Sequence, residues 1–318
     1  MLPFLSFLLL SIAAEAAAAP SPITNSSYSY SYAHKNIFIL AGQSNMVGLG
    51  GVVNGTWDRV VPPECRPSRL ILRLTANLTW VEAREPLHAD IDAEHACGVG
   101  PGMPFANAVL RMGKKNSSFG AVGLVPCAVG GTSIGEWARG SKFYGELVKR
   151  AKASVKGGGG TIRALLWYQG ESDTNRMNDA ASYKQKFEKF VGDLRRDLQS
   201  PTLPVFQVAL ASGTGPFIET VREAQLGVDI PNVRCVDAKG LPLEPGSLHL
   251  STAAQVRLGE MLAQAFLQST NYPLPSPPTD PPTRNGAPTS FSYFVLGSVL
   301  GPLSRIFIPT LLSVLLVF

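Results

Sequence analysis

Along the chain, short apolar runs alternate with segments whose apolar residues recur at helical spacing. The runs are KNIFILA (35–41), FGAVGLVPCAV (119–129), IRALLWYQ (162–169), PVFQVAL (204–210) and VRCVDA (233–238). They are continuous rather than alternating, which is the pattern of strands buried on both faces. Between them lie PFANAVLRMGKK (104–115), SKFYGELVKRAKASVK (141–156), AASYKQKFEKFVGDLRRDLQ (180–199) and IETVREAQLGV (218–228). In the third, Tyr183, Phe187, Phe190, Val191 and Leu194 share one stripe, the signature of a helix packed on a core. STAAQVRLGEMLAQAFLQ (251–268) closes the series and opens on a capping-box pattern, Thr252-x-x-Gln255. Strands alternating with helices predict an α/β domain with a parallel sheet covered on both faces. Ligands in such sheets sit at the C-terminal ends of the strands. A long insertion follows the first strand. Within it RLILRLTANLTWVEA (69–83) reads as a hairpin, and the insertion is expected to shape a cleft.

The two ends depart from this pattern. Residues 1–19 are an apolar run closing in small residues, as a secretory signal does. Residues 20–34 form a short extension, and the domain is expected over 35–270. Residues 271–290 are rich in proline and read as an extended linker. Residues 291–318 are almost wholly apolar, but contain Arg305, Pro302 and Pro309. Two readings stand there: the signal for a glycolipid (GPI) anchor, or a membrane anchor. Both place the protein in the secretory pathway, outside the cell or at its surface, with the membrane touched only through this tail. N-x-S/T sequons at Asn25, Asn54, Asn77 and Asn116 agree with that route.

Composition narrows the chemistry. The net charge of +5 comes from scattered Lys and Arg rather than a block, so nucleic acid is not an expected partner. The four cysteines have no C-x-x-C spacing, which argues against a zinc site, and no metal or cofactor is expected. Cys65 and Cys97 lie in the same non-helical insertion and form the first choice for a disulfide. A monomer is expected.

The stretch NIFILAGQSNMVGLGG (36–51) raises the chemical question. Ser44 is either a nucleophile at a strand end or a residue that starts a helix. His249, in the loop PGSLHLS before the last helix, stands where a base for Ser44 must stand. Gly130-Gly131-Thr132-Ser133 and the Gln169 amide both follow strands and supply donors for an oxyanion hole. Trp57, Trp80 and Trp137 are either platforms on which a ligand in that cleft could stack or core residues.

GQSNM, GPGMPFA, VPCAVGGTSIGEW, WYQGESD and LHLSTAAQVRLG occur in the order seen in plant carbohydrate esterases of the sialate O-acetylesterase-like (SASA) type. From residue 36 to 268 the chain resembles that family, part of the SGNH (GDSL-like) hydrolase superfamily. The resemblance implies a three-layer, flavodoxin-like fold with a central parallel sheet and the removal of acetyl groups from carbohydrate. It implies Ser44 as nucleophile, His249 as base, and the Ser44 N–H with Gly131 and Gln169 as oxyanion hole. One position departs: the family reads D-x-x-H, whereas this chain has Gly246 three residues before His249. An Asp there fixes the imidazole tautomer, and its loss costs about 10⁴ in kcat in a serine protease. Three outcomes remain open: a Ser–His dyad, a substitute carboxylate from Glu244 or Asp237, or a weak or inactive protein that binds carbohydrate.

Overall fold

In a computed structural model of the chain, the residues described are 34–113 and 119–270. The expectations for the leader, the linker, the apolar tail, Asn25 and Asn116 lie outside those residues. Strand β1 (Lys35–Gly42) runs into a single helical turn, α1 (Ser44–Val47). The insertion then forms a small hairpin, β2 (Val52–Val53) and β3 (Thr56–Trp57), followed by β4 (Ile71–Leu74) and β5 (Trp80–Glu82). The remaining elements alternate as expected: α2 (Gly102–Gly113), β6 (Ala121–Pro126), α3 (Lys142–Ser154), β7 (Gly160–Tyr168), α4 (Met177–Asp197), β8 (Val205–Ala209), α5 (Ile218–Leu226), β9 (Val233–Asp237) and α6 (Thr252–Ser269).

Seven strands make the main sheet, in the order β5-β4-β6-β1-β7-β8-β9. Every pairing is parallel except β4 with β5. The hairpin expected over 69–83 is therefore present, but it extends the sheet at one edge. Every residue of β1 except Asn36 is buried, as its unbroken apolar run requires. On one face Phe38 packs edge-on against Phe105 of α2 and Phe266 of α6, with ring centroids 4.8 and 4.9 Å apart. On the other face Trp167 meets Trp137 at 5.3 Å and Phe190 of α4 at 4.6 Å. The α4 stripe is core: Tyr183, Phe187, Phe190, Val191 and Leu194 are all buried. Among the described residues no helix is long and apolar enough to cross a membrane.

Two expectations are corrected. Cys65 and Cys97 are buried thiols, not a disulfide. Cys65 ends a 3₁₀ turn packed on α2, while the Cys97 sulfur is directed at the carbonyls of Asp92 and His95. Burial pushes the Cys97 thiol up to about 12, so it stays protonated. The last helix is capped by Ser251, whose Oγ accepts the Ala254 N–H, and the Gln255 amide turns inward instead.

The chain turns out of β1 at Gly42, where φ is +131° and a Cβ would stand 2.0 Å from the Tyr168 carbonyl oxygen. Glycine alone tolerates that backbone and that approach. Gly42→Ala is expected to destabilise the domain by about 3 kcal/mol through strain and overlap. An unchanged urea-unfolding midpoint would show that β1 and β7 are free to move apart.

Candidate active site

Three neighbouring strands, β6, β1 and β7, deliver their C-terminal ends to one edge of the sheet. Ser44 follows β1, Gly130 and Gly131 follow β6, and Gln169 to Asp173 follow β7. The loop from β9 to α6 brings His249 to the same edge. Its Nε2 lies 3.1 Å from Ser44 Oγ, across 205 positions of sequence. Ser44 is not the helix cap, since Gln43 occupies that position and Ser44 is the first helical residue. Burial holds the imidazole below the ordinary histidine range, and the charge of Glu244 opposes that shift in part.

Asn45 holds the histidine loop. Its Oδ1 accepts the Leu250 N–H at 2.8 Å, and its Nδ2 donates to the Leu248 carbonyl at 3.3 Å. One side chain thus grips the backbone on both sides of His249. Ser212 Oγ also donates to the Leu248 carbonyl, and Gln255 Nε2 donates to the Asn45 carbonyl at 3.1 Å. Behind Asn45 stands Glu171, fully buried, whose Oε1 accepts from Nδ2 at 2.7 Å. Its Oε2 is buried without a hydrogen-bond partner among the described residues. Burial raises this carboxyl to about 7, so it is substantially protonated at neutral pH.

The backbone N–H groups of Ser44 and Gly131 donate to nothing among the described residues. Gly131 has φ +74° and is exposed, so its N–H is carried on a turn that favours glycine. Gln169 is placed differently from the sequence expectation. Its Nε2 lies 2.6 Å from Asp173 Oδ2, 2.8 Å from the Thr132 carbonyl and 3.1 Å from Gln43 Oε1. An amide has only two N–H donors, so both are engaged within the wall. Asp173 also accepts the Ile134 N–H at 2.9 Å, and its burial raises it to about 6. Gln169 and Asp173 therefore brace the loop that presents Gly131.

The remaining residues divide clearly. Asp237 is taken by Arg222 (2.9 and 3.0 Å) and by the Lys239 N–H, so it is no partner for His249. Glu244 is nearer: its N–H donates to the His249 carbonyl at 2.7 Å, and its Oε1 accepts the Gly51 N–H at 2.9 Å. No hydrogen bond reaches His249 Nδ1 among the described residues. A Cβ at Gly246 would meet nothing within 4 Å. Trp137 is wholly buried, with Nε1 donating to Thr132 Oγ1 at 3.0 Å, so it is core. Trp80 packs on Gly123 and under Lys35, at the opposite end of the sheet from Ser44. Trp57 is half-buried behind Val52, its cross-strand partner, which lines a cavity of about 370 Å³ together with Val53, Asn54, Glu244, Gly246 and His249. Asn54 and Asn77 are exposed, as glycan acceptors must be. Asn45, Glu171, Asp173 and Asp92 were missed from sequence. All but Asp92 stand within GQSNM and WYQGESD, and a carboxylate placed at a strand end was the available signal. Among the described residues no three His, Cys, Asp or Glu side chains gather as a metal would require.

Residues 34–268 match a family model described as carbohydrate esterase, sialic acid-specific acetylesterase. An Arabidopsis thaliana protein named a probable carbohydrate esterase is 56% identical over 239 residues, 73% of this chain and 90% of that one. An X-ray structure of an Arabidopsis thaliana protein superposes with a TM-score of 0.71 at 54% identity, covering 74% of this chain and 98% of that one. The crystal structure of NanS shares the fold alone, with a TM-score of 0.58 at 20% identity over 76% of this chain and 98% of that one.

Asn45→Ala releases both sides of the histidine loop, and misplacement by about 1 Å costs on the order of 10²-fold in rate. The expected result is a fall in kcat of that size with KM little changed. Glu171→Gln keeps the acceptor for Asn45 and should lose less than about tenfold, the scale of one hydrogen bond. Wild-type kcat in Asn45→Ala would mean that His249 is positioned by other contacts.

Proposed function

Because the chain belongs to the sialate O-acetylesterase-like carbohydrate esterase family, we propose that it hydrolyses acetyl esters of carbohydrate through a Ser44–His249 dyad. The observation that carries this reading is the 3.1 Å contact between Ser44 Oγ and His249 Nε2 at the C-terminal edge of the sheet. Ser44 Oγ attacks the acetyl carbonyl carbon while His249 Nε2 takes the hydroxyl proton. The carbonyl oxygen becomes an oxyanion, held by the N–H groups of Ser44 and Gly131, which donate to nothing else among the described residues. Gln169 reaches that oxygen only by giving up one of its bonds in the wall. As the tetrahedral adduct collapses, the bond to the sugar oxygen breaks and His249 returns the proton to it. A water, deprotonated by the same nitrogen, then attacks the acetyl-serine and releases acetate.

The imidazole works without a carboxylate on Nδ1. Glu244 supports it only at a distance, through its negative charge. Asn45 takes over the mechanical part of the missing Asp by fixing the loop, although it cannot stabilise the imidazolium as an anion does. The low pKa from burial keeps His249 a neutral base at neutral pH. A second reading, a carbohydrate-binding protein with little turnover, is favoured by the bare Nδ1 alone.

Ser44→Ala should abolish acetate release from acetylated xylan and from an aryl acetate, and an undiminished rate would sink the mechanism. In wild type the acid limb of the kcat/KM profile should lie below the ordinary histidine value of about 6.5. Gly246→Asp has open space for its side chain. Its carboxylate favours the imidazolium, so the acid limb should move up by about one pH unit and kcat should rise by at least about tenfold. Acetate release by Gly246→Asp but not by wild type would select the binding reading. We also place the protein in the secretory pathway, on its leader and sequons. Glycosidase treatment of protein expressed in plant cells should then lower its mass, and an unchanged mass would count against glycans at Asn54 and Asn77.

A further inference from the structure

Beside Ser44 stands a second histidine for which the dyad has no use. His95 Nδ1 lies 2.8 Å from Oδ1 of Asp92, and Asp92 Oδ2 accepts the Gly130 N–H at 2.9 Å. Asp92 is 4% exposed, whereas the His95 side chain is 58% exposed. The carboxylate thus anchors an exposed imidazole to the loop that presents Gly131. With Nδ1 donating to Asp92, the ring turns Nε2 outward, and no hydrogen bond to that atom exists among the described residues. All these groups converge on one point: a Cβ at Gly130 would lie 3.1 Å from Asp92 Oδ2, 3.8 Å from His95 Nδ1 and 3.8 Å from Ser44 Cβ.

His95 also forms a wall common to two cavities. One, of about 370 Å³, contains His249, Glu244 and the tip of the β2–β3 hairpin. The other, of about 340 Å³, is lined by Lys142, Phe143, Glu146, Asp90 and Arg150. An acetyl group is small, so most of an acetylated carbohydrate must lie outside the oxyanion hole, and one of these cavities is lined by His249. Charged groups line both cavities and Phe143 gives the second an aromatic face, which suits sugar hydroxyls and sugar C–H faces.

Resting on the esterase reading, we propose that His95, anchored by Asp92, grips the sugar that bears the ester. Its Nε2 hydrogen-bonds a hydroxyl next to the acetylated position, and the neighbouring sugars enter the cavities on either side. The substrate class is then an acetylated sugar inside an oligosaccharide or longer chain, not a free monosaccharide.

The test separates binding from turnover. Ser44→Ala and Ser44→Ala/His95→Ala are titrated by calorimetry with acetylated hexasaccharides from xylan, mannan and pectin. The tightest probe for Ser44→Ala should bind about tenfold more weakly to the double variant, the size of one good hydrogen bond. His95→Gln, which keeps a polar N–H, should recover part of the loss. The same probe shortened to one acetylated sugar should bind at least about tenfold more weakly to Ser44→Ala. In the catalytically intact protein, His95→Ala should lower the ratio of kcat/KM on the hexasaccharide to that on aryl acetate about tenfold. Equal binding by the two serine variants, or no binding of any hexasaccharide to Ser44→Ala, overturns the proposal. Because the titrations use a protein without the Ser44 hydroxyl, they stand even if Ser44 proves not to be the nucleophile.

Discussion

The amide of Asn45 joins the turn after β1 to the loop before α6, about 200 positions later in the chain. Its oxygen and nitrogen hold the backbone on both sides of His249, and the buried Glu171 carboxyl holds the amide in turn. The placement of His249 beside Ser44 rests largely on that bracket. A histidine on an unsupported loop samples many orientations, and general-base catalysis tolerates few of them. With both loop arms fixed, the imidazole reaches Ser44 even though nothing among the described residues hydrogen-bonds to Nδ1 and orients the ring from behind. In the mechanism proposed above, the usual work of an acid residue is divided: position comes from a neutral amide, and some electrostatic support comes from Glu244.

The wall behind Ser44 is built from carboxyls that burial keeps hard to ionise. Glu171 is raised to about 7 and Asp173 to about 6, by desolvation in both cases. A protonated Glu171 gives Asn45 an acceptor without placing a full negative charge beneath the Ser44–His249 pair. Asp173 carries more anionic character, and it is correspondingly better supplied, by the Ile134 N–H and the Gln169 amide. Gln169 is fully buried with its Oε1 unpartnered among the described residues. Such an atom is a cost borne where a framework must be rigid. The Gly131 N–H is presented by that framework.

Much of this was legible in the sequence, for identifiable reasons. Continuous apolar runs and helical stripes marked the five core strands and their covering helices, because burial on both faces leaves no polar period to read. Ser44, Gly131 and His249 could be placed because each follows a strand or precedes a helix at the ligand-binding edge. Gln169 was located correctly, but its amide could not be aimed, since its direction is decided by Asp173 and the Thr132 carbonyl. Trp137 and Trp80 stayed open between core and sugar platform for a similar cause: an indole serves either, and only packing on Thr132 or Gly123 decides between them. The Cys65–Cys97 pairing failed because proximity within an insertion says nothing about where two sulfurs point. His95 and Asp92 went unread because their meaning lies in Gly130, which is far from them in the chain.

The bond between Ser44 and His249 closes a loop of 205 residues, and the Asn45 contacts close loops of nearly the same length. Contacts that distant form late in folding, because the chain entropy they cost is recovered only after the intervening strands have docked. During synthesis the serine leaves the ribosome long before the imidazole does. The contact between the two side chains is therefore a property of the completed domain: a partly folded or shortened chain carries Ser44 without His249 beside it.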